Sequence, residues 1–273
     1  MALIVHLTDL HLRPPGVLTR GTVDCASYTD AAIKAVAARH GDADAIIITG
    51  DVADLGEAGA YEQLALMLEA FAAPVLLAPG NHDRTGPFRE VFGRWPGVGD
   101  GPVEGKVCHA HDVADARIVM LDSSVDGLDR GDHFGALGAV QIAWLDSLLR
   151  EEKPTLIALH HPPFITGMTF LDRIRLQDAD DLAAVLRGRN HVRRIVCGHV
   201  HRTIVAGFAG APAITVPGVA HQTALTLGSG ASHRSVMEPP SYGVHLIGAQ
   251  DASHVALVDV YDAPGAVVQR ETA

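Results

Sequence analysis

Six short apolar runs recur along the chain up to residue 198, and most are bounded by Gly, Pro or polar residues. Runs of this length that are rich in Val, Ile and Leu predict buried β-strands. Because helical patterns lie between several of the runs, the sequence predicts a layered α/β architecture. The strand candidates are 2–8, 43–49, 73–79, 116–122, 155–160 and 193–198.

Three amphipathic patterns predict helices over 27–40, 138–150 and 178–188. The last of these opens with several aspartates, which suit the positive end of a helix dipole. On the helix over 138–150, one apolar face is expected to carry Val140, Ala143, Trp144 and Leu148.

The pattern changes after about residue 200, where four strand-like runs follow with little helix between them. They predict a second, more antiparallel sheet, which the part at about 203–262 is expected to complete. That part is also a candidate for oligomer contacts. A Gly/Pro-rich stretch at 84–106 predicts an excursion over the surface, and 228–240 predicts a long loop. Without a repeat or linker, residues 1–273 are interpreted as one domain with a core of about 1–220.

The amino-acid composition narrows the cellular compartment and the binding partners that are expected for this protein. The chain has 273 residues, 48% of them hydrophobic, so it can bury a large core. Its formal charge of −11 disfavours nucleic-acid polymers as partners, although a local cation cluster can still hold a small phosphorylated substrate. Three cysteines without a CxxC motif, and no leader-like or membrane-spanning segment, favour a cytoplasmic protein that does not bind a membrane.

Short polar clusters directly follow five of the strand candidates. In α/β sheets the loops at the carboxyl ends of strands converge on one crevice, so these clusters are expected to meet. In an extended DLH or HVH segment the first and third side chains point the same way. The clusters are Asp9-Leu10-His11, Gly50-Asp51, Gly80-Asn81-His82-Asp83, His160-His161-Pro162-Pro163 and Gly198-His199-Val200-His201.

The donor set in these clusters comprises two carboxylates, four imidazoles and one amide. Oxygen and nitrogen donors without thiolate favour Mn, Fe, Co or Zn. Seven donors exceed what one catalytic ion with an open position needs, whereas two ions that share one carboxylate account for all seven. Taken alone, DxH or GD is better explained by a turn or a helix cap, whereas GNHD and GHxH are moderately specific for a metal site. The metal-ligand candidates are Asp9, His11, Asp51, Asn81, His160, His199 and His201.

The order DxH, GD, GNHD, HHPP and GHVH is similar to the signature of calcineurin-like metallophosphoesterases, over roughly residues 3–220. Three further features narrow the resemblance to class III cyclic-nucleotide phosphodiesterases and the bacterial glycerophosphodiesterase. They are HHPP followed by FITGMTFLD, LDSS at 121–124, and PGVAHQ at 217–222. The resemblance implies a four-layer αββα sandwich of two mixed β-sheets flanked by helices. It also implies a dinuclear metal site at the carboxyl ends of strands.

The resemblance implies a role for each cluster. His82 is expected to contact the phosphate and help the leaving oxygen depart, and Asp51 to bridge both ions as a catalytic group. Asp83 is open between orienting a neighbour and closing a turn. His161 and His221 are open between lining the substrate pocket and purely structural hydrogen bonds. The first ion is expected on Asp9, His11 and His201, and the second on Asn81, His160 and His199. The candidate substrate-binding residues are His82, Asn81, His161 and His221.

The expected activity is hydrolysis of small soluble phosphodiesters, either glycerophosphodiesters or cyclic nucleotides, by in-line attack of a metal-bound hydroxide. Two alternatives stay open: a nucleotide-sugar pyrophosphohydrolase or phosphomonoesterase on the same site, and a non-catalytic scaffold. No basic cluster adjoins the motifs, which disfavours a phosphomonoester dianion. Loop 164–176 is a candidate wall of the substrate pocket. The family resemblance also implies a homo-oligomer, a dimer or larger.

Overall fold

The structure is a computed structural model that describes residues 1–126, 133–228 and 234–258. Two large β-sheets lie face to face, and helices cover their outer faces. Three apolar layers hold this arrangement together, one between the sheets and one under each group of helices. The four-layer αββα order implied by the family resemblance is therefore confirmed.

The first sheet has five strands, namely β1 (Ala2–Leu7), β2 (Ala45–Thr49), β3 (Val75–Ala78), β12 (Ser241–Ile247) and β13 (Ala252–Leu257). Their spatial order is β13-β12-β1-β2-β3. The first three strands are parallel, so their carboxyl ends lie at one edge, and β12 and β13 run antiparallel.

The second sheet has six strands, namely β4 (His109–Val113), β5 (Ala116–Leu121), β6 (Thr155–Leu159), β7 (Val192–Cys197), β8 (Ile204–Phe208) and β9 (Ala211–Thr215). Their order is β4-β5-β6-β7-β9-β8, with β5, β6, β7 and β9 parallel. A small ladder joins β10 (Gln222–Thr223) to β11 (Ser235–Val236). All six strand candidates up to residue 198 are thus confirmed.

Six α-helices connect these strands, namely α1 (Cys25–Arg39), α2 (Ala58–Met67), α3 (Thr85–Phe92), α4 (Ala139–Leu148), α5 (Thr169–Arg173) and α6 (Ala179–Leu186), and a 3₁₀ turn at Leu68–Ala70 follows α2. The cap of α1 is Asp24, whose carboxylate accepts a hydrogen bond from the Ser27 N–H at 3.1 Å. No helix in the described parts of the chain is long and apolar enough to cross a bilayer.

The stretch 84–106 is not the predicted surface excursion. It contains α3, whose Phe88 and Phe92 are fully buried, and Val98 and Val103 are buried beyond it. Pro87 lies in the first turn of α3, where its missing N–H costs no helical hydrogen bond. The Gly/Pro content therefore marks the ends of a packed element.

The predicted apolar face of α4 is confirmed for Trp144 and Leu148, which pack against the core, but it is wrong for Val140 and Ala143. Val140 is 69% exposed and Ala143 is exposed, while Gln141 and Leu145 are buried. The Gln141 side chain accepts a hydrogen bond from the Asp122 N–H and donates one to the Asp122 carbonyl, both at 2.8 Å. The buried face of α4 therefore includes a polar side chain whose hydrogen bonds are satisfied inside the fold.

The C-terminal strands do not form one separate sheet. β8 and β9 join the six-stranded sheet, whereas β12 and β13 extend the five-stranded sheet beside β1. Both sheets therefore depend on residues after 203. The predicted loop at 228–240 contains the short strand β11, and its residues 229–233 lie outside the described ranges. Residues 259–273, which include the end of the last strand-like run, also lie outside them.

Candidate active site

The polar clusters meet where the strand ends of both sheets face each other. Asp9 and His11 follow β1, Asp51 follows β2, Asn81 follows β3, His160 follows β6, and His199 and His201 follow β7. Because these strands are parallel within each sheet, seven side chains distant in sequence reach one place. The structure thus brings together every candidate metal ligand.

Backbone strain is concentrated at this place. Eight non-glycine residues in the described ranges have positive φ, and five of them are candidate ligands, namely Asp9, His11, Asp51, His199 and His201. The DLH and HVH segments are therefore left-handed turns and not the extended segments that the sequence predicted. Strain of this kind persists where the surrounding structure imposes it, which is typical of functional sites.

Two glycines let the loops approach closely. A Cβ on Gly50 would lie 2.4 Å from the Gly80 nitrogen, and one on Gly80 would lie 2.3 Å from an Asp51 carboxylate oxygen. Both positions exclude any other residue. The backbones that carry Asp51 and Asn81 are consequently in direct contact.

The first donor set consists of Asp9, His11 and His201. The Nδ1 of His11 donates to the Asp54 carboxylate at 3.2 Å, and the Nδ1 of His201 donates to the carbonyl of His221 at 2.8 Å. Each ring therefore presents its Nε2 lone pair to the other, and these two nitrogens lie 3.0 Å apart.

An oxygen of Asp9 lies 3.3 Å from the same Nε2 of His201. Ligands about 2.1 Å from one ion are about 3 to 3.5 Å from each other. Converging lone pairs at these distances are unfavourable unless a proton or a metal ion lies among them.

The second donor set consists of Asn81, His160 and His199. The Nδ1 of His160 donates to the Thr49 carbonyl at 2.7 Å, so its Nε2 is directed at the Asn81 Oδ1, 3.0 Å away. The Nδ1 of His199 lies 2.9 Å from the same oxygen. The Asn81 amide nitrogen donates to His133 at 3.0 Å, which turns its carbonyl toward the two rings. Three donors converge here in the same way.

Asp51 lies between the two donor sets. Its Oδ2 is 3.5 Å from the Nε2 of His11 and 3.4 Å from the Nε2 of His160. Its Oδ1 accepts a hydrogen bond from the His82 N–H at 2.8 Å, which holds the carboxylate in place. One carboxylate oxygen is therefore positioned to serve both sets.

Electrostatics support cation binding in the second set. Burial lowers the pKa of His160, but the adjoining Asp51 carboxylate outweighs it and raises this pKa to about 9. Burial opposes ionisation of Asp51, yet His160 and His82 keep its pKa well below the usual range. A proton is thus held between a buried carboxylate and a buried imidazole, and a divalent ion would replace that proton on binding.

In the first donor set, too, a carboxylate raises the pKa of a buried imidazole, but by a smaller amount. Burial lowers the pKa of His201, and the carboxylate of Asp9 reverses this and raises it. Burial lowers the pKa of His11 despite its hydrogen bond to Asp54. Both donor sets are consequently able to bind divalent metal ions, and their nitrogen and oxygen chemistry suits Mn, Fe, Co and Zn.

His82 lies beside the donor sets without belonging to either. Its Nδ1 donates to the Asp54 carbonyl at 2.7 Å, which leaves Nε2 to face the cleft. Its ring is stacked on that of His133 at a centroid distance of 5.0 Å. The side chain is 23% exposed, so a ligand in the cleft can reach it.

The donor sets form the floor of an open cleft of about 190 Å³. One wall is polar and carries Arg20, Thr223 and Ser235, and the other is apolar and comes from α5 and the residue after it. Arg20 donates to the Ser235 hydroxyl at 2.8 Å. The apolar wall consists of Phe170, Leu171 and Ile174.

Comparison with known proteins gives the family. A family model described as calcineurin-like phosphoesterase matches residues 2–203. The chain belongs to the calcineurin-like phosphoesterase family. A probable cyclic nucleotide phosphodiesterase of Rhodococcus erythropolis is 36% identical to this phosphoesterase over 215 residues, which cover 77% of this chain and 68% of that protein.

Two further proteins resemble this phosphoesterase. A glycerophosphodiester phosphodiesterase of Enterobacter lignolyticus is 29% identical over 223 residues, which cover 81% of this chain and 78% of that protein. The crystal structure of a dimetal phosphatase from Danio rerio superposes with a TM-score of 0.65 at 16% identity, covering 92% of this chain and 98% of that chain. This last likeness concerns the fold alone.

Asp83 of this phosphoesterase fastens the loops and does not face the donor sets. Its carboxylate accepts hydrogen bonds from the N–H groups of Val52, Ala53 and Gly80 and from the Tyr61 hydroxyl. Burial, together with the nearby Asp51, raises the pKa of Asp83 to about 6. Of the two roles left open, orienting neighbouring loops fits the contacts.

His161 and His221 occupy different positions in the phosphoesterase. His161 is fully buried, and its ring nitrogens are hydrogen-bonded to the Ser123 hydroxyl and the His133 carbonyl. His221 lines the cleft, and its Nδ1 is buried without a hydrogen-bond partner in the described chain. A ring nitrogen of His221 also lies within 4.8 Å of those of His11 and His201, so His221 adjoins the first donor set, whereas both ring nitrogens of His161 are already bonded.

Three residues at the phosphoesterase site were missed by sequence reasoning: Arg20, Asp54 and His133. Asp54 follows Asp51 by three positions, and that spacing was the available signal for it. No motif marks Arg20 or His133, whose contacts with Ser235 and Asn81 span 215 and 52 residues. Arg20 places one cation in the lining of the cleft, which is less than the basic cluster that a phosphomonoester dianion would need.

Proposed function

We propose that this protein is a metal-dependent phosphodiesterase that hydrolyses small phosphodiesters. The observation that carries the proposal is the convergence of two donor sets on one Asp51 carboxylate, with His82 beside them in an open cleft. A turn or a helix cap gives no reason for imidazole lone pairs to face each other at 3.0 Å. A scaffold without a metal centre would gain nothing from this arrangement.

The first ion is proposed on Asp9, His11 and His201 and the second on Asn81, His160 and His199, with Asp51 bridging. When bound, such ions lower the pKa of a coordinated water and neutralise charge on the phosphoryl oxygens. Other groups of the protein hold the metal-binding side chains in position. Asp54 and the His221 carbonyl fix the first-set rings, while Thr49 and His133 fix donors of the second set.

His82 is proposed to serve the leaving oxygen. Its Nδ1 proton is held by the Asp54 carbonyl, so only Nε2 is directed at the cleft. In the protonated ring, Nε2–H can donate to the oxygen that departs from phosphorus, which is general acid catalysis. His221 is proposed to contact the substrate from the same cleft. His161 is assigned a structural role because both of its ring nitrogens are already bonded.

The substrate class follows from the cleft and from the relatives. A volume of about 190 Å³ suits a small diester and not a polymer. The apolar wall at Phe170 suits a base or an alkyl group, and the polar wall at Arg20 suits hydroxyl or anionic groups. The relatives named above act on cyclic nucleotides and glycerophosphodiesters, so these two groups of substrates are proposed here. A pyrophosphohydrolase or a phosphomonoesterase could use the same donor sets.

Replacing His82 tests the role that distinguishes catalysis from metal binding alone. We expect His82→Ala to keep both ions and to lose about 100- to 10,000-fold in turnover of bis(p-nitrophenyl) phosphate. Metal content is measured by mass spectrometry on the same samples. His254→Ala, at an exposed position on β13, is the control and should match the wild type. Wild-type turnover of His82→Ala would remove His82 from the proposal.

A substrate panel separates the alternatives. The kcat/KM values are compared for glycerophosphoethanolamine, 3′,5′-cAMP, 2′,3′-cAMP and a nucleoside diphosphate sugar with Mn²⁺ supplied. The proposal expects one of the three diesters to have the highest value. A higher value for the diphosphate sugar would instead establish a pyrophosphohydrolase.

Compartment and assembly complete the proposal. All three cysteines are free and buried, which fits the reducing cytoplasm. A homo-oligomer is proposed, and light scattering during gel filtration measures it. A monomeric mass at working concentration would overturn that part and leave the proposed chemistry intact.

A further inference from the structure

Arg194 lies on β7 in a position that is costly for a cation. The residue is 8% exposed, and its Nε is buried without a hydrogen-bond partner. No carboxylate within the described ranges pairs with its guanidinium. Buried arginines are normally paired with a carboxylate or another anion, because removing the charge from water is unfavourable. The Nε of Arg194 therefore lacks a partner, and the residue borders an open cleft from which an anion could reach it.

The nearest acid does not supply that partner. The two carboxylate oxygens of Asp251 accept hydrogen bonds from Arg193 Nε at 2.7 Å and from the Gly248 N–H at 2.9 Å. Burial keeps the neighbouring His245 neutral by holding its pKa well below the usual range. Two arginines thus face one carboxylate, which leaves a local positive charge on a chain whose formal charge is −11.

Both arginines line an open cleft of about 430 Å³. Its other walls include Gly210 in the turn between β8 and β9, Pro212 at the start of β9, and Asp251 between β12 and β13. The cleft lies near the amino end of β7, whereas His199 follows the carboxyl end of the same strand. Arg194 lies three residues before the carboxyl end of β7 at Cys197, or about 10 Å along the extended strand, and His199 lies beyond that end. The cleft is consequently distinct from the metal centre.

We propose that this cleft binds a phosphate group through Arg194 and Arg193. A guanidinium presents parallel N–H donors that match two oxygens of an oxyanion, and it is less strongly hydrated than an ammonium group. Arg193 keeps Asp251 neutralised while its remaining nitrogens are available to the ligand. The binding does not depend on the proposed diesterase activity. Free phosphate and a phosphomonoester share this chemistry.

Arg194→Met tests the proposal because, unlike most substitutions of a buried residue, it is expected to stabilise the protein. Methionine keeps the apolar stem but removes the unpaired charge, so the variant should be more stable than the wild type in phosphate-free buffer. It should also bind inorganic phosphate at this cleft at least about tenfold more weakly, because charge-assisted hydrogen bonds are lost. Denaturant midpoints and calorimetric titration of the holoenzyme measure the two effects. Glycerol 3-phosphate in a parallel titration shows whether a phosphomonoester binds better than free phosphate.

Three controls isolate the cleft. The inhibition constant of phosphate against diester turnover reports the metal centre and should not change in Arg194→Met. Arg189→Met removes an arginine that is already paired with Asp146, so phosphate affinity should not change. Sodium chloride at matched ionic strength should not reproduce the phosphate response of the wild type.

Arg193→Met provides a second variant with the opposite effect on stability. It should also weaken phosphate binding, but it leaves Asp251 without its partner and should lower the denaturant midpoint. The proposal is overturned if Arg194→Met is destabilised in the absence of phosphate, or if it binds phosphate as the wild type does. An equal response of the wild type to chloride would overturn it as well.

Discussion

The two donor sets are built from similar rings but differ in charge. The first set contains the carboxylate of Asp9, and the second contains the neutral amide of Asn81 in the corresponding role. Asp51 adds one negative charge that both sets share. A set with more anionic oxygen binds a divalent ion more tightly. We therefore expect the first set to hold its ion more tightly than the second.

Their supports differ as well. In the first set each imidazole is fixed by an acceptor on its far nitrogen, Asp54 for His11 and the His221 carbonyl for His201. In the second set His160 is fixed in this way, but the Nε2 of His199 is buried without a partner in the described chain. Groups that fix ligand rings raise metal affinity. The difference in support thus acts in the same direction as the difference in charge.

Removal of the Asp51 carboxylate is expected to have the largest effect on metal binding and turnover, because both donor sets share it. Asp51→Asn should lose both ions and at least about 1,000-fold of diester turnover. Asparagine tolerates the left-handed backbone at this position, so the fold should be retained. Metal content and turnover are measured together. Retention of either ion at full occupancy would show that Asp51 does not bridge the sets.

Asn81→Asp tests whether charge explains the difference between the sets. The added carboxylate should tighten the second set by about tenfold, bringing it closer to the first. The cost is the amide hydrogen bond to His133, and turnover should fall because the donors are less well oriented. Metal titration by calorimetry gives both affinities. An unchanged second affinity would assign the difference to the ring supports instead.

Asp54→Ala tests the ring supports in the first set. Loss of the acceptor for His11 Nδ1 should weaken the first ion by about 10- to 100-fold. The second ion should be unaffected. His82 keeps its anchor, which is the main-chain carbonyl of residue 54 and not the side chain. Asp54→Asn retains an acceptor oxygen and should recover part of the affinity; equal losses in both variants would argue against an orienting role.

The fold and the donors were predictable because each follows from a local pattern. Short aliphatic runs mark strands, and the polar residues directly after them must lie at strand ends, where parallel pairing brings them together. The left-handed turns at Asp9 and His199 were not predictable, since nothing in DLH or HVH excludes an extended segment. They arise because the surrounding loops impose the conformation.

Contacts between distant residues account for what sequence reasoning missed. Gln141 is buried because Asp122, 19 residues earlier, satisfies its amide, and no periodicity in α4 reveals that partner. The division of the C-terminal strands between the sheets is decided by pairing of β12 with β1 across most of the chain. Arg20 reaches the cleft through a loop whose Thr19 hydroxyl donates to the His11 carbonyl at 2.7 Å.

Arg20 gives the smallest expected effect and leaves both donor sets unchanged. Its guanidinium lines the polar wall, donates to Ser235 and contacts none of the donors. An exposed cation of this kind contributes modestly to binding, so Arg20→Gln should raise KM by about 3- to 10-fold with kcat nearly constant. The rise should be larger for glycerophosphoserine than for glycerophosphoethanolamine, because only the former carries a carboxylate.

Arg84→Gln is the matched control for Arg20→Gln, because Arg84 donates to the Asp83 carbonyl and does not line the cleft. Its KM should equal that of the wild type for both diesters. Equal KM changes in Arg20→Gln for the two diesters would mean that Arg20 supports the loop and does not bind the carboxylate of the substrate. A lower metal content in Arg20→Gln would show that the polar wall and the first donor set are coupled through Thr19 and His11.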